Sequence, residues 1–342
     1  MTNRKIQTAV TALALLVCTG IRAEQAALTY YMPLTQLVFN IEYEQVIETT
    51  GVFSKYTERY LGTKDRVKED KQYFILRSVS LSVLTVADPD RSYQIPIDKQ
   101  RLAGLQLQRT ADGRLLALNT TATDTIICNT PTDEAAKEPA YRPLPPLMEE
   151  QMLASSTSKM AENTAKLIYR IREQRLNLIA GDAEHQPADA GSMQMALKEL
   201  DRQEEALCAL FVGTTQTQKL SKQILLTPTQ SVQQQCLFRF SYFSGVVDAD
   251  DLSGEPVYLT INAHKKEAPE TDEKKKTEPS FIYYNTPGQA QITVADENTQ
   301  FTSNLLDIAQ FGFATPLPQE LFIKNTPQIL FNPQTGEILS IK

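Results

Sequence analysis

Tryptophan is absent from this chain of 342 residues, and histidine occurs only as His185 and His264. A zinc centre built on histidine and cysteine needs three or four ligands, and neither histidine has a second one at ligand spacing. Asp182, Glu184 and His185 therefore read as a solvated turn between helices, and no metal or cofactor is expected. Cysteine is almost as scarce: Cys18, Cys128, Cys208 and Cys236 are widely spaced and form no C-x-x-C pair, which excludes a disulfide framework. A single disulfide stays open, with Cys208 on the apolar face of a helical pattern, where it reads as a small buried hydrophobe. Also missing are the G-x-S-x-G elbow, the P-loop, G-x-G-x-x-G and H-E-x-x-H. No catalytic residue is assigned. A glycosidase-type carboxylate pair leaves no sequence spacing to search for, so glycan processing is kept as an alternative.

Long apolar runs are missing too, apart from one at the N-terminus. Arg4 and Lys5 precede an apolar stretch from Ala9 to Val17, and Ile21-Arg22-Ala23 stands before Glu24. That order predicts a secretory signal peptide over residues 1–23, too short to span a membrane and ending in a small residue. A competing reading takes Leu15-Leu16-Val17-Cys18 as a lipobox with Cys18 lipidated, although Val17 stands where a small residue is usual. No later segment approaches the roughly 18 apolar residues of a membrane-crossing helix.

Removing residues 1–23 takes away Arg4, Lys5 and Arg22 and no acid, so the formal charge moves from -7 to -10. An acidic chain lacks the basic patches that nucleic acid selects for, and no nucleic-acid partner is expected. With 42% hydrophobic residues the chain can build a large globular core.

The pattern along the chain predicts an α+β protein. Leu37, Phe39, Ile41 and Tyr43 alternate with polar neighbours as in a half-buried antiparallel strand. Phe53, Tyr56 and Tyr60 follow a helical spacing that Gly62 can stop. Tyr73 to Val86 alternates again until Asp88-Pro89-Asp90 breaks it, and Asp112-Gly113 turns a hairpin between Leu107 and Leu115. These elements make a mainly β N-terminal region over 24–130. A proline-rich linker over 131–147 follows, and then a helical hairpin over 148–213. Its two helices, about 20 residues and about 30 Å long, have Ser192 as the second N-cap and are forced antiparallel by the short turn. Short strands return over 214–342, among them Ile224–Leu226, Leu237–Phe243, Val257–Ile261, Phe281–Tyr284, Gln291–Val294, Leu321–Ile323, Ile329–Phe331 and Ile338–Ile341. They suggest a sandwich-like arrangement of sheets on either side of the hairpin, with a charged solvated loop over 264–280. Asp248, Asp250, Asp251 and Glu255 form the densest acidic loop. Ser253 stands where an EF-hand has its sixth-position glycine, so the loop reads as a solvated hairpin tip.

Several segments are distinctive in combination: Tyr30-Tyr31-Met32-Pro33, Tyr56 through Gly62, Ile168 through Leu178, and Leu200 through Leu207. In these the chain resembles an uncharacterised family of exported cell-envelope proteins of Bacteroidota-type bacteria, over nearly the whole mature length. The resemblance implies an envelope location, periplasmic or at the outer membrane or cell surface, and carries no catalytic residue, cofactor or substrate. In such bacteria Asp124-Thr125-Ile126 looks like an O-glycosylation acceptor, with Thr125 as the modified residue.

Arg170, Arg172, Glu173 and Arg175 have two readings. One is a solvated helix face with pairs three residues apart, and the other is a docking surface anchored by arginines. Tyr30 and Tyr31 could add to such a surface or pack against the sheet. The leading expectation is a non-catalytic envelope protein, a scaffold or accessory subunit that binds other envelope or outer-membrane proteins. The alternative is a glycan-binding or glycan-processing protein, against which the absence of tryptophan counts and for which the 13 tyrosines could substitute.

Overall fold

The computed structural model describes residues 27–96, 105–123, 156–182, 187, 189–268, 282–318, 321 and 327–342. The expectations for Cys18, Thr125, Cys128, Glu184, His185, the linker over 131–147 and most of the loop over 264–280 lie outside the described residues.

One strand organises the molecule. β1 (Ala27–Thr49) is 23 residues long and alternates through most of its length, so at about 3.3 Å per residue it runs for roughly 75 Å. Its first third delivers Tyr30 and Met32, and its middle delivers Leu37, Phe39 and Ile41. The chain just beyond it delivers Phe53. Those three groups sit in three separate hydrophobic cores.

β1 pairs on one side with β2 (Lys71–Pro96) and on the other with β5 (Thr214–Leu226), all antiparallel. Between β1 and β2 lie a 3-10 turn, Ser54–Tyr56, and α1 (Thr57–Leu61), which ends at Gly62 in the left-handed conformation. A second antiparallel sheet holds β6 (Val232–Ser241), β7 (Gly245–Val247), β8 (Glu255–His264), β9 (Tyr283–Ala295) and β10 (Gln300–Pro316). Its order is β10-β9-β8-β6-β7. The apolar faces of these two sheets meet in the largest core, where Phe39, Phe238, Leu259 and Ile292 are buried. The third sheet contains β3 (Leu107–Arg109), β4 (Leu115–Leu118), β11 (Ile329–Phe331) and β12 (Ile338–Ile341), in the order β12-β11-β4-β3. It covers the N-terminal end of β1. The chain is thus α+β, mostly antiparallel sheet, with two long helices between the N-terminal and C-terminal strands. Those strands share sheets, since β5 pairs with β1 and β11 with β4.

Asp88-Pro89-Asp90 does not end β2, contrary to the break in its alternation. Met32 pairs with Asp88 and Tyr31 with Ser92, so Pro89, Asp90 and Arg91 bulge out and the strand resumes. Asp88 is buried and accepts from Arg91 Nε at 2.7 Å, while Arg91 Nη2 donates to the Pro33 carbonyl at 2.8 Å. The bulge is held by charge-assisted bonds, a use of Asp-Pro-Asp that pattern reading cannot separate from a turn. β10 also escapes the alternation rule. Its register slips between Ile308 and Phe313, and Leu305 faces water, so no clean period remains. Leu321, expected to open a strand, is itself helical, and the rest of that expected strand lies outside the described residues.

Tyr30 is fully buried, which removes it from the candidate docking residues. Its hydroxyl accepts from the Tyr283 amide at 2.7 Å and donates to the Tyr283 carbonyl at 3.1 Å, and its ring stacks on Tyr93 at 5.7 Å. Tyr31 is half-buried, with its amide bonded to Gly113 O at 3.1 Å. Burial pushes the Tyr30 phenol well above its usual range. A folded-state pKa above the unfolded value of about 10 means that this contribution to stability is present below pH 10 and is lost as pH rises further. Tyr30→Phe leaves the Tyr283 amide without that partner and should cost about 1–3 kcal/mol in urea unfolding at neutral pH. The gap between the two proteins should narrow above about pH 10, where only the wild-type residue must stay un-ionised to remain folded.

Candidate functional site

α2 (Thr157–Ala180) and α3 (Ala190–Val212) form the hairpin that helical periodicity predicts, 24 and 23 residues long. At 1.5 Å per residue each is about 35 Å. Ser156 caps α2 by accepting from Lys159 N, and Gly181 closes it. The second N-cap is Asp189 in place of Ser192: its carboxylate accepts from the Ser192 amide at 2.9 Å and the Ser192 hydroxyl at 2.8 Å. A carboxylate cap also suits the positive end of the helix dipole, which Ser192 alone cannot match.

The inner stripe of α2 runs Ala161, Ala165, Ile168, Arg172, Arg175, Ile179, and that of α3 runs Met193, Leu197, Leu200, Glu204, Leu207, Phe211. Both advance in alternating steps of four and three, the spacing of a two-stranded antiparallel coiled coil. Among the described residues, the buried side chains of this hairpin lie at its root. Buried residues in α2 end at Ile171 and those in α3 begin at Leu207. At the root, Phe53 packs on Phe211 with ring centroids 5.4 Å apart, and Phe53 N donates to Leu210 O at 2.7 Å. The buried Thr57 hydroxyl lies 2.8 Å from Phe211 O, and the Tyr169 hydroxyl donates to Tyr60 O at 2.8 Å. A Cβ on Gly51 would stand 2.5 Å from Leu210 O, so the close approach of the β1–α1 connection to α3 requires glycine there.

Beyond the root, and among the described residues, the two helices run on for about 15 to 25 Å as an arm with only each other for support. The predicted surface residues divide on this arm. Arg172 Nε reaches Glu204 Oε1 at 2.7 Å, and Arg175 Nη1 lies 3.2 Å from Asp201 Oδ1 and 3.5 Å from Glu204 Oε2. These two arginines therefore face α3 and bind the hairpin together, instead of pairing along α2. Half-exposed ion pairs contribute at most about 1 kcal/mol each, but a polar layer in a coiled-coil seam fixes its register. Arg170 and Glu173 are exposed and have no ion-pair partner among the described residues. Sequence periodicity missed the feature that matters most here. Ile179, the last apolar member of the inner stripe of α2, and Leu176 beside that stripe are 61% and 66% exposed, and Met195 on α3 is 75% exposed.

A second apolar feature lies near the root. Tyr73 pairs with Val46 close to the end of β1, and its ring stacks on Tyr242 at 5.1 Å with planes 2° apart. Phe243 meets Tyr242 edge-on and is 75% exposed. Both sit at the tip of the β6–β7 turn, although Leu237–Phe243 reads as one strand; the Phe74 amide holds the turn through Tyr242 O at 2.8 Å. The Tyr73 hydroxyl donates to Glu48 Oε1 at 3.1 Å.

The remaining candidates do not converge. Cys208 and Cys236 are half-buried free thiols, and burial raises the Cys208 thiol above its usual range, the opposite of an activated nucleophile. His264 is exposed at the end of β8. In the acidic loop Asp251 accepts from Ser253 N at 2.9 Å, and Asp248 faces Lys222 Nζ at 3.6 Å. Among the described residues no group of three or more His, Cys, Asp or Glu side chains is placed to hold a metal ion, and no helix is long and apolar enough to cross a membrane.

No curated protein and no solved structure matches the chain. A family described as a domain of unknown function (DUF4831) matches it over residues 26–339, and the chain belongs to that family.

Proposed function

We propose that this is an exported envelope protein without catalysis of its own, a scaffold or accessory subunit that grips other envelope proteins with its helical arm. The observation that carries the reading is the pair of exposed apolar side chains on the arm, Leu176 and Ile179, beyond the last buried residue of α2. Uncovered apolar side chains on a projecting element are what a binding anchor requires, and each can return about 1.5–3 kcal/mol when covered. The N-terminal pattern of Arg4, Lys5 and the run to Val17 supports export, with cleavage near Ala23 or lipid attachment at Cys18. β1 supports the same division of labour, because its N-terminal end lies under the third sheet and its other end leads into the root of the arm. An N-terminal tether and a gripping arm would thus work at opposite ends. In an envelope of the Bacteroidota type, Thr125 would be the glycosylated residue.

The experiment is capture from detergent-solubilised envelopes of the producing cells. The protein with Leu176→Ser and Ile179→Ser should keep its melting temperature and far-ultraviolet spectrum while losing its co-purifying envelope protein. A second reading, glycan binding, rests on the Tyr73–Tyr242 stack with exposed Phe243 beside it, since sugar rings pack on such aromatic faces. Oligosaccharides that raise the melting temperature of the wild type but not of Tyr242→Ala would favour it.

A further inference from the structure

The charges of the arm divide between its helices. From Lys166 onward α2 carries Lys166, Arg170, Arg172 and Arg175 against Glu173, whereas α3 up to Ala206 carries Glu199, Asp201, Glu204 and Glu205 against Lys198 and Arg202. One helix is basic and the other acidic, so the hairpin is complementary to itself. We infer that the arm pairs with the arm of a second copy of this chain, the two lying side by side as a four-helix bundle about a two-fold axis that runs along them. The inference rests on the arm being a docking surface and names its partner.

The register of the hairpin restricts the geometry. Arg172 opposite Glu204 and Arg175 opposite Asp201 fix which residues share a level. By that register Arg170 stands about level with Glu205, Glu173 with Arg202, Leu176 with Leu200 and Ile179 with Leu197. A two-fold axis along the arms preserves these levels and sets α2 of one copy beside the antiparallel α3 of the other. Opposite signs then meet at both exposed charged levels, apolar side chains meet at the tip, and all neighbouring helices are antiparallel. A two-fold axis across the arms would place basic α2 against basic α2, which like-charge repulsion disfavours. Arg170, Glu173 and Glu205 are exposed and lack ion-pair partners within the chain among the described residues, so Arg170 and Glu205 are free to be matched in this way, whereas Arg202 already holds Glu199 at 2.7 Å and would share its guanidinium with Glu173.

Sedimentation velocity of the purified chain at micromolar concentration tests the pairing. The expected result is a dimer, and Leu176→Asp with Ile179→Asp should give a monomer with an unchanged far-ultraviolet spectrum and a melting temperature that, unlike that of the wild type, does not depend on protein concentration. Arg170→Glu should weaken the dimer by about tenfold or more, and adding Glu205→Arg should recover most of the loss. A monomeric wild type, or a dimer that the tip variants leave intact, overturns the inference. A monomer that still captures an envelope protein through Leu176 and Ile179 overturns the self-pairing alone. One whose tip variants capture as well as the wild type removes the docking reading too.

Discussion

Phe39→Ala is expected to lower the stability of the whole protein by about 3–5 kcal/mol, the range for removing a large aromatic side chain from a filled core. Phe39 is fully buried in the middle of β1, between Leu81 of β2 and Ile224 of β5, and faces the second sheet. The size of the effect comes from what β1 connects. Tyr30 and Met32 at one end and Phe53 beyond the other end belong to the two smaller cores, so loosening the middle of the strand removes a shared support. Urea unfolding followed both by far-ultraviolet circular dichroism, which weights the helices, and by tyrosine fluorescence, which weights the sheets, should give midpoints that fall together. Tyrosine is the available intrinsic probe because the chain has no tryptophan.

Gly213→Ala is expected to unseat the arm. Gly213 joins α3 to β5 with φ +83° and ψ -172°, a conformation essentially confined to glycine, and an added Cβ would overlap the Thr49 carbonyl oxygen. Neither the strand nor the helix can yield easily, because Thr49 pairs with Thr214 in the sheet and Phe211 is buried in the root. A loss of about 3 kcal/mol or more should follow, the sum of backbone strain and disturbed packing. Hydrogen exchange should locate it: amides of α2 and α3 should lose protection far more than those of β8 and β9. Gly62→Ala, where α1 ends with open space around the added Cβ, provides the contrast, with strain from its φ of +69° and no clash.

Local patterns carried much of this architecture. Alternation in Leu37, Phe39 and Ile41 marks the face of β1 that meets the second sheet, and the Asp112-Gly113 turn joins β3 to β4 as expected, with Gly113 at φ +92°. Helical spacing located both arm helices within a few residues. What stayed hidden depends on partners far away in the chain. Nothing in Thr214 to Leu226 states that it will pair with β1, and the shift inside β10 erases the period that would mark a strand. The candidate site shows the same limit more sharply. Periodicity continues the apolar face of α2 through Ile171 to Leu178, which is half-buried, and singles out neither Leu176 nor Ile179 as exposed apolar positions. Arg172 and Arg175 looked equally available for solvent or for a partner. Only the antiparallel register of α2 against α3, which brings Glu204 within 2.7 Å of Arg172, assigns them to the hairpin itself.

The most direct measurement is a quantitative comparison of what co-purifies from native envelopes with the wild type, with the Leu176→Ser, Ile179→Ser protein, and with Leu339→Ser as a control. Leu339 lies on β12 in the third sheet, which covers the N-terminal end of β1, and is 63% exposed, so it matches the tip residues in character but not in place. Loss of a stoichiometric envelope protein from the arm variant alone is the predicted result. Equal recovery with all three proteins, or loss with Leu339→Ser instead, would contradict the assignment of the arm as the gripping surface.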